Sequence, residues 1–281
     1  MTQKTVGKRG SLSGVGIHTG KECTVVFDPA PADFGVQFFR RGKRIGENPS
    51  GVGLSVTGAS RCTVIGSEKE NIRTVEHLLA ALLGLEICNI RMEVDGEEIP
   101  ILDGSAAAFV RFFKKLGITD QKVPRPRVKI TEPIFCGEKH KALAVYPAEE
   151  FSVAYTLDYD HPLLRKQTVD FILSPKVFER EIAPARTFCT EEESRAVREG
   201  GLGLGADTTN TLVISENGVV ENKFLFADEC ARHKVLDLLG DLNLLGVSIV
   251  GRVVGLRSGH SLNCRLVELL SAGLHEARNK R

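Results

Sequence analysis

The stretch Glu229-Cys-Ala-Arg-His-Lys-Val-Leu-Asp-Leu-Leu-Gly-Asp241 decides the fold, because a near copy of its surroundings occurs earlier in the chain. It is predicted helical from Glu229 to Leu245, followed by a β-branched strand over Val247 to Leu256. Ser258-Gly-His-Ser261 then turns the chain into an amphipathic helix over Leu262 to Leu270. The same order appears earlier. Thr74-Val-Glu-His-Leu-Leu-Ala-Ala-Leu-Leu83 is helical and stopped by Gly84, Ile87 to Val94 is a strand, and Asp103 to Leu116 restarts a helix that Asp103 or Ser105 can cap. His77 lies 27 residues before Gly104, and His233 lies 26 before Gly259. The chain therefore reads as two diverged copies of one α+β unit, each a β-sheet with two helices.

Val123-Pro-Arg-Pro-Arg-Val128 favours extended backbone and is the expected linker. It divides the chain into a first α+β domain, 1–122, and a second, 123–281. Strands are expected at Thr24 to Phe27, Gly35 to Phe39, Val128 to Ile130, Ala142 to Tyr146 and Phe151 to Leu157. An insert over about 189–220 carries a helix from Thr190 to Gly200, spaced glycines and a strand over Thr211 to Ile214. Its glycine cluster follows a helix and precedes a strand, the reverse of a phosphate-cradling turn.

The 281 residues hold 37 Lys plus Arg against 36 Asp plus Glu, so nothing in the net charge points to nucleic acid. No apolar run approaches a membrane span, and the N-terminus lacks the apolar core of a signal peptide. Seven scattered cysteines without a CxxC pattern suit reduced thiols in a cytoplasmic protein.

His233, Asp237 and Asp241 recur every four residues, so on a helix they share one face, about 40° apart. Carboxylates set into a leucine-rich helix cost stability unless they are paired or bind a cation. His-x-x-x-Asp supplies a nitrogen and an oxygen ligand, and the duplication offers His77 as the third. Three protein ligands leave the fourth position open, as in catalytic zinc sites. Glu76 points about 100° away from its neighbour His77 and is a candidate general base. The competing reading is a local helix-face pair of His233 and Asp237, with His77 in the core. His260, in its turn, is a candidate acid that Asp241 would orient. His18 is read as part of a tight strand-to-strand turn.

Six motifs in order resemble the UDP-3-O-acyl-N-acetylglucosamine deacetylase family. They are Ser13-Gly-Val-Gly-Ile-His-Thr-Gly20, Thr74-Val-Glu-His-Leu78, Ile99-Pro-Ile-Leu-Asp-Gly-Ser105, Ala185-Arg-Thr-Phe188, Arg232 to Asp241 and Ser258-Gly-His260. The resemblance spans about Ser11 to Leu274 and implies two similar α+β domains, their helices packed between the two sheets, with one catalytic Zn2+ (or Fe2+) at the domain interface. It puts the metal ligands on His77, His233 and Asp237, the base on Glu76, and the acid on His260 with Asp241 as partner. Thr187 would assist the oxyanion, and Lys234 would lie near the substrate. Lys141 and Tyr159 match positions contacting the diphosphate and uracil, and Phe188 falls within a matching motif. The implied substrate is a small nucleotide sugar with one acyl chain, its N-acetyl group hydrolysed in lipid A biosynthesis. Leu202 and Leu204, in the insert, are expected to line an apolar passage for that chain. A monomer is expected. A non-catalytic nucleotide-sugar-binding relative of the same fold is the alternative.

Overall fold

The structure, a computed structural model, describes residues 1–48 and 53–279, side chains beyond 273 excepted. Two five-stranded sheets repeat one topology. In the first, the order is Gly10–Val15, Glu22–Pro29, Ile90–Val94, Val36–Arg40 and Lys43–Ile45. In the second it is Ile134–Glu138, Lys141–Tyr146, Arg252–Leu256, Ser152–Leu157 and Gln167–Ile172. In each sheet the central strand is the last to be made, and it runs parallel to only one neighbour.

Among the described residues six α-helices follow in chain order: α1 (Glu76–Gly84), α2 (Ala107–Leu116), α3 (Pro175–Val177), α4 (Glu191–Glu199), α5 (Glu229–Leu242) and α6 (His260–Asn279). The equivalents α1 and α5 pack against each other. Both are hydrophobic on most faces because they lie inside: Leu78, Leu79 and Leu82 of α1 and Val235, Leu236, Leu238 and Leu239 of α5 are wholly buried. Gly240 permits their approach, since a Cβ there would sit 2.1 Å from the Glu76 carbonyl oxygen. Helix α2 is amphipathic instead. It buries Phe109, Val110, Phe113 and Leu116 against the first sheet, with the Phe113 ring edge-on to Phe27 at 5.2 Å.

Several boundaries differ from the expectation. The strand expected over 247–256 is broken at Gly251, where a Cβ would press on Ile130 and the Tyr146 carbonyl. Ser248–Val250 pairs in parallel with Arg127–Lys129, and only Arg252–Leu256 enters the large sheet. Helix α2 begins at Ala107, because Asp103 and Ser105 build the preceding turn: the Ser105 hydroxyl donates to Asp103 at 2.7 Å and accepts from the Ala107 N–H at 3.0 Å. Position 122 falls within the strand Ile118–Pro124, which pairs with Thr2–Val6.

Candidate metal centre and active site

Helix α5 carries His233 and Asp237 one turn apart, and α1 brings His77 across the helix contact. One ligand atom from each lies within 4.8 Å of the others, and all three residues are buried. The Asp237 Oδ1 is 3.3 Å from His233 Nε2 and 3.6 Å from His77 Nε2, too long for good hydrogen bonds, and it has no hydrogen-bond partner. The His233 Nδ1–H donates to the Ala185 carbonyl at 3.0 Å, which leaves Nε2 as a lone pair. Burial lowers His233 to about 3, against the pull of Asp237, so its ring is neutral, as a ligand must be. Two imidazole nitrogens and an orphaned carboxylate oxygen in a buried site fit a divalent metal.

Glu76 opens α1 beside them, 3% exposed, with Oε2 accepting from the Thr63 N–H at 3.0 Å. Burial raises its carboxyl above the usual range, although His260 and His77 act the other way. His260 opens α6, the first residue after its glycine turn. Its Nδ1–H donates to Asp241 at 2.9 Å, and its Nε2 faces Glu76 and Asp237, each at 3.9 Å. Burial disfavours charge on this ring, but Asp241 and Asp237 outweigh it and hold the histidine up to about 10. Asp241 is itself fixed by Asn263 Nδ2 at 2.9 Å and by the Thr63 hydroxyl. Lys234 donates to Asp237 Oδ2 at 2.8 Å; burial opposes its charge, but that carboxylate and two tyrosines keep it protonated.

The segment from Ala185 to Phe188 is tied to the start of α5 by a buried pair, Arg186 Nε to Glu229 Oε1 at 2.8 Å. Thr187 and Phe188 thereby reach the site. The Phe188 ring lies 6.2 Å from His233 and 6.0 Å from Tyr159. Two cavities open from the centre. One, of about 400 Å³, runs past His77, Thr187 and Phe188 between Ile17 and Ile101 of the first half and Val197, Ala206 and Val213 of the insert. The other, of about 460 Å³, is lined by Lys141, Tyr159, Lys234 and His260.

Of the candidate site residues, Glu76, His77, Lys141, Tyr159, Thr187, Phe188, Lys234 and His260 line these cavities, His233, Asp237 and Asp241 stand behind them against His77 and His260, and two lie apart. Leu202 and Leu204 do not line the first cavity; Leu204 is 65% exposed, its N–H donating to the His18 carbonyl, and the wall is made by Val197, Ala206 and Val213 instead. Gly201 and Gly203, at φ 71° and 69°, turn this loop, and Gly203 lines the cavity. His18, read as a turn residue, does turn the chain, its N–H donating to Glu98 at 2.9 Å, but its ring also faces the cavity, with a buried Nδ1 that has no partner. Thr63, Asn263 and Arg61 were not legible, since no spacing or glycine context marks them.

This donor set, with a buried acid and a carboxylate-held histidine beside it on a duplicated α+β fold, defines a metalloenzyme. The model of the family described as UDP-3-O-acyl N-acetylglycosamine deacetylase matches residues 3–272, and the chain belongs to that family. Curated relatives named UDP-3-O-acyl-N-acetylglucosamine deacetylase include one from Anaeromyxobacter sp. (strain Fw109-5), 43% identical over 97% of this chain and 90% of that protein. Those from Wolinella succinogenes and Thermodesulfovibrio yellowstonii are each 37% identical, covering 96% and 98% of this chain and 90% and 94% of theirs. No helix among the described residues is long and apolar enough to cross a membrane.

Proposed function

We propose that the chain hydrolyses the N-acetyl group of UDP-3-O-acyl-N-acetylglucosamine, giving acetate and the free amine, in lipid A biosynthesis. The observation that carries this is the orphaned Asp237 oxygen between two imidazoles, with Glu76 and His260 beside it, in a chain of that family. Binding alone would need neither Glu76 nor His260. We take the ion as Zn2+, held by His77, His233 and Asp237, which when bound supplies a Lewis acid and lowers the pKa of water to about 7. Seven free cysteines suit action in the cytoplasm.

An amide is a poor electrophile, so the side chains must supply a nucleophile, hold the oxyanion and protonate the leaving amine. Glu76 takes a proton from water as its oxygen bonds to the acetyl carbon; burial keeps this carboxylate basic enough for the task. Thr187, whose hydroxyl makes no hydrogen bond among the described residues, donates to the resulting oxyanion. His260, held cationic by Asp241, gives its proton to the sugar nitrogen as the carbon–nitrogen bond breaks. Lys234 neutralises Asp237 and faces the cavity of Lys141 and Tyr159, which takes the nucleotide, while Phe188 stands between the two cavities. Acetate release from the acylated nucleotide sugar, abolished by a chelator and restored by zinc, is the expected result. Release that is insensitive to exhaustive chelation would reject the metal mechanism, and none from metal-loaded protein would reject the activity.

A further inference from the structure

The cavity of Lys141 and Tyr159 holds more positive charge than its own acids answer. Lys234 is engaged by Asp237 at 2.8 Å, and Arg257 leans on Asp158 at 3.8 Å. Of the remaining acids, Asp160 pairs with Arg165 at 2.6 Å, and Glu193 accepts from the Thr190 N–H at 2.9 Å. Two cations lining the cavity, Lys141 and Arg61, have no acidic partner among the described residues.

We infer that Arg61 is a specificity-determining residue for the reaction: its guanidinium binds the diphosphate of the nucleotide sugar, from the half of the molecule that does not carry Lys141. The inference rests on the nucleotide-sugar reading of the site. Arg61 lines both cavities and so stands where the nucleotide end meets the acyl end. Its charge is felt on both sides, by His18 and by Cys189. Although its side chain is exposed, the backbone beneath it is held. The Ala59 carbonyl accepts from the Ser261 hydroxyl at 2.7 Å, Cys62 is buried, and Thr63 is bonded to Glu76, Asp241 and His260. The loop is thus pinned to α6 on one side and to the catalytic cluster on the other. On this held backbone the guanidinium breaks no ion pair when it binds, and its planar fork matches two phosphate oxygens at once. Two unanswered cations facing one cavity also match a group bearing two negative charges. An alkyl chain offers neither cation anything.

The test is calorimetric titration of the metal-loaded full chain with UDP and with uridine, for the wild type, Arg61→Ala, Arg61→Lys and Lys141→Ala. Arg61→Ala is expected to weaken UDP by about tenfold or more, the scale of a charge-assisted bidentate contact, while uridine binds as before. Arg61→Lys regains part of the loss, since it restores charge without the fork. In turnover, KM for the nucleotide sugar rises in Arg61→Ala while kcat is held. Unchanged UDP affinity in Arg61→Ala, or equal weakening of UDP and uridine, would overturn the inference while leaving acetate release, and so the proposed function, intact. A wild type that releases no acetate and binds no UDP would overturn both.

Discussion

Of the five buried side-chain polar atoms without a partner among the described residues, two, Asp237 Oδ1 and His77 Nδ1, belong to the candidate ligand trio. The carboxylate oxygen is the one that the metal reading explains, since leaving it bare would cost free energy with nothing returned. His77→Ala, His233→Ala and Asp237→Ala are each expected to purify with metal far below one ion per chain, measured by elemental analysis, because three ligands are the least an open site retains. Full metal content in all three would remove the assignment. Asp241 acts one residue further out. It is chiefly this carboxylate that raises His260 against burial, so Asp241→Asn lowers the pKa of the histidine. A group that must be protonated then loses its proton at lower pH, and the basic limb of the rate profile moves down. An unshifted limb in Asp241→Asn would detach Asp241 from that role. That His77, His233 and Asp237 would meet, and Asp241 with His260, was legible because helical spacing and the duplication put these residues in register. Thr63 was not, since a threonine between Cys62 and Val64 carries no pattern until the fold brings it to Asp241 and His260.

Helices α1 and α5 are the elements on which the site depends, and Gly240 is where they meet. A methyl group at that position would overlap the Glu76 carbonyl, carbon and Cα, at 2.1, 2.8 and 3.0 Å, all backbone atoms that cannot rotate aside. Gly240→Ala must therefore separate the two helices, at a cost of about 1–3 kcal/mol for an overpacked contact. It also moves Glu76 and His77 away from Asp237. The expected result is a lowered melting temperature together with weaker metal retention. A variant with wild-type stability and full metal content would show that the contact has slack. The hydrophobic patterning of both helices was plain in the sequence, although α1 runs through Gly84 and is capped at Leu85 rather than stopping at the glycine. The break at Gly251 was not, because it comes from a tertiary clash with Ile130 and Tyr146, and a β-branched run gives no sign of one.

Across the whole molecule, the two sheets share one strand order, and their equivalent helices lie back to back, so the site forms where the copies face each other. The duplication was legible because its register survives in His77–Gly104 and His233–Gly259; the inward face of the insert was not, because loop curvature rather than composition selects which side chains point in. In the structure Val197, Ala206 and Val213, not Leu202 and Leu204, line this cavity, opposite Ile17 and Ile101 of the first half. An acyl chain in this cavity would be sheltered from water by both copies at once, at roughly 0.8 kcal/mol per buried methylene. Val213→Asp would set a charge against that chain, so KM for a long-chain substrate is expected to rise by tenfold or more while a short-chain analogue is little affected. Val197→Asp, from the other side of the insert, is expected to give the same pattern. Leu204→Ser, at a position 65% exposed, should change neither substrate. Equal losses on long and short chains in well-folded Val213→Asp and Val197→Asp, or a chain-length-selective loss in Leu204→Ser, would move the passage elsewhere on the molecule.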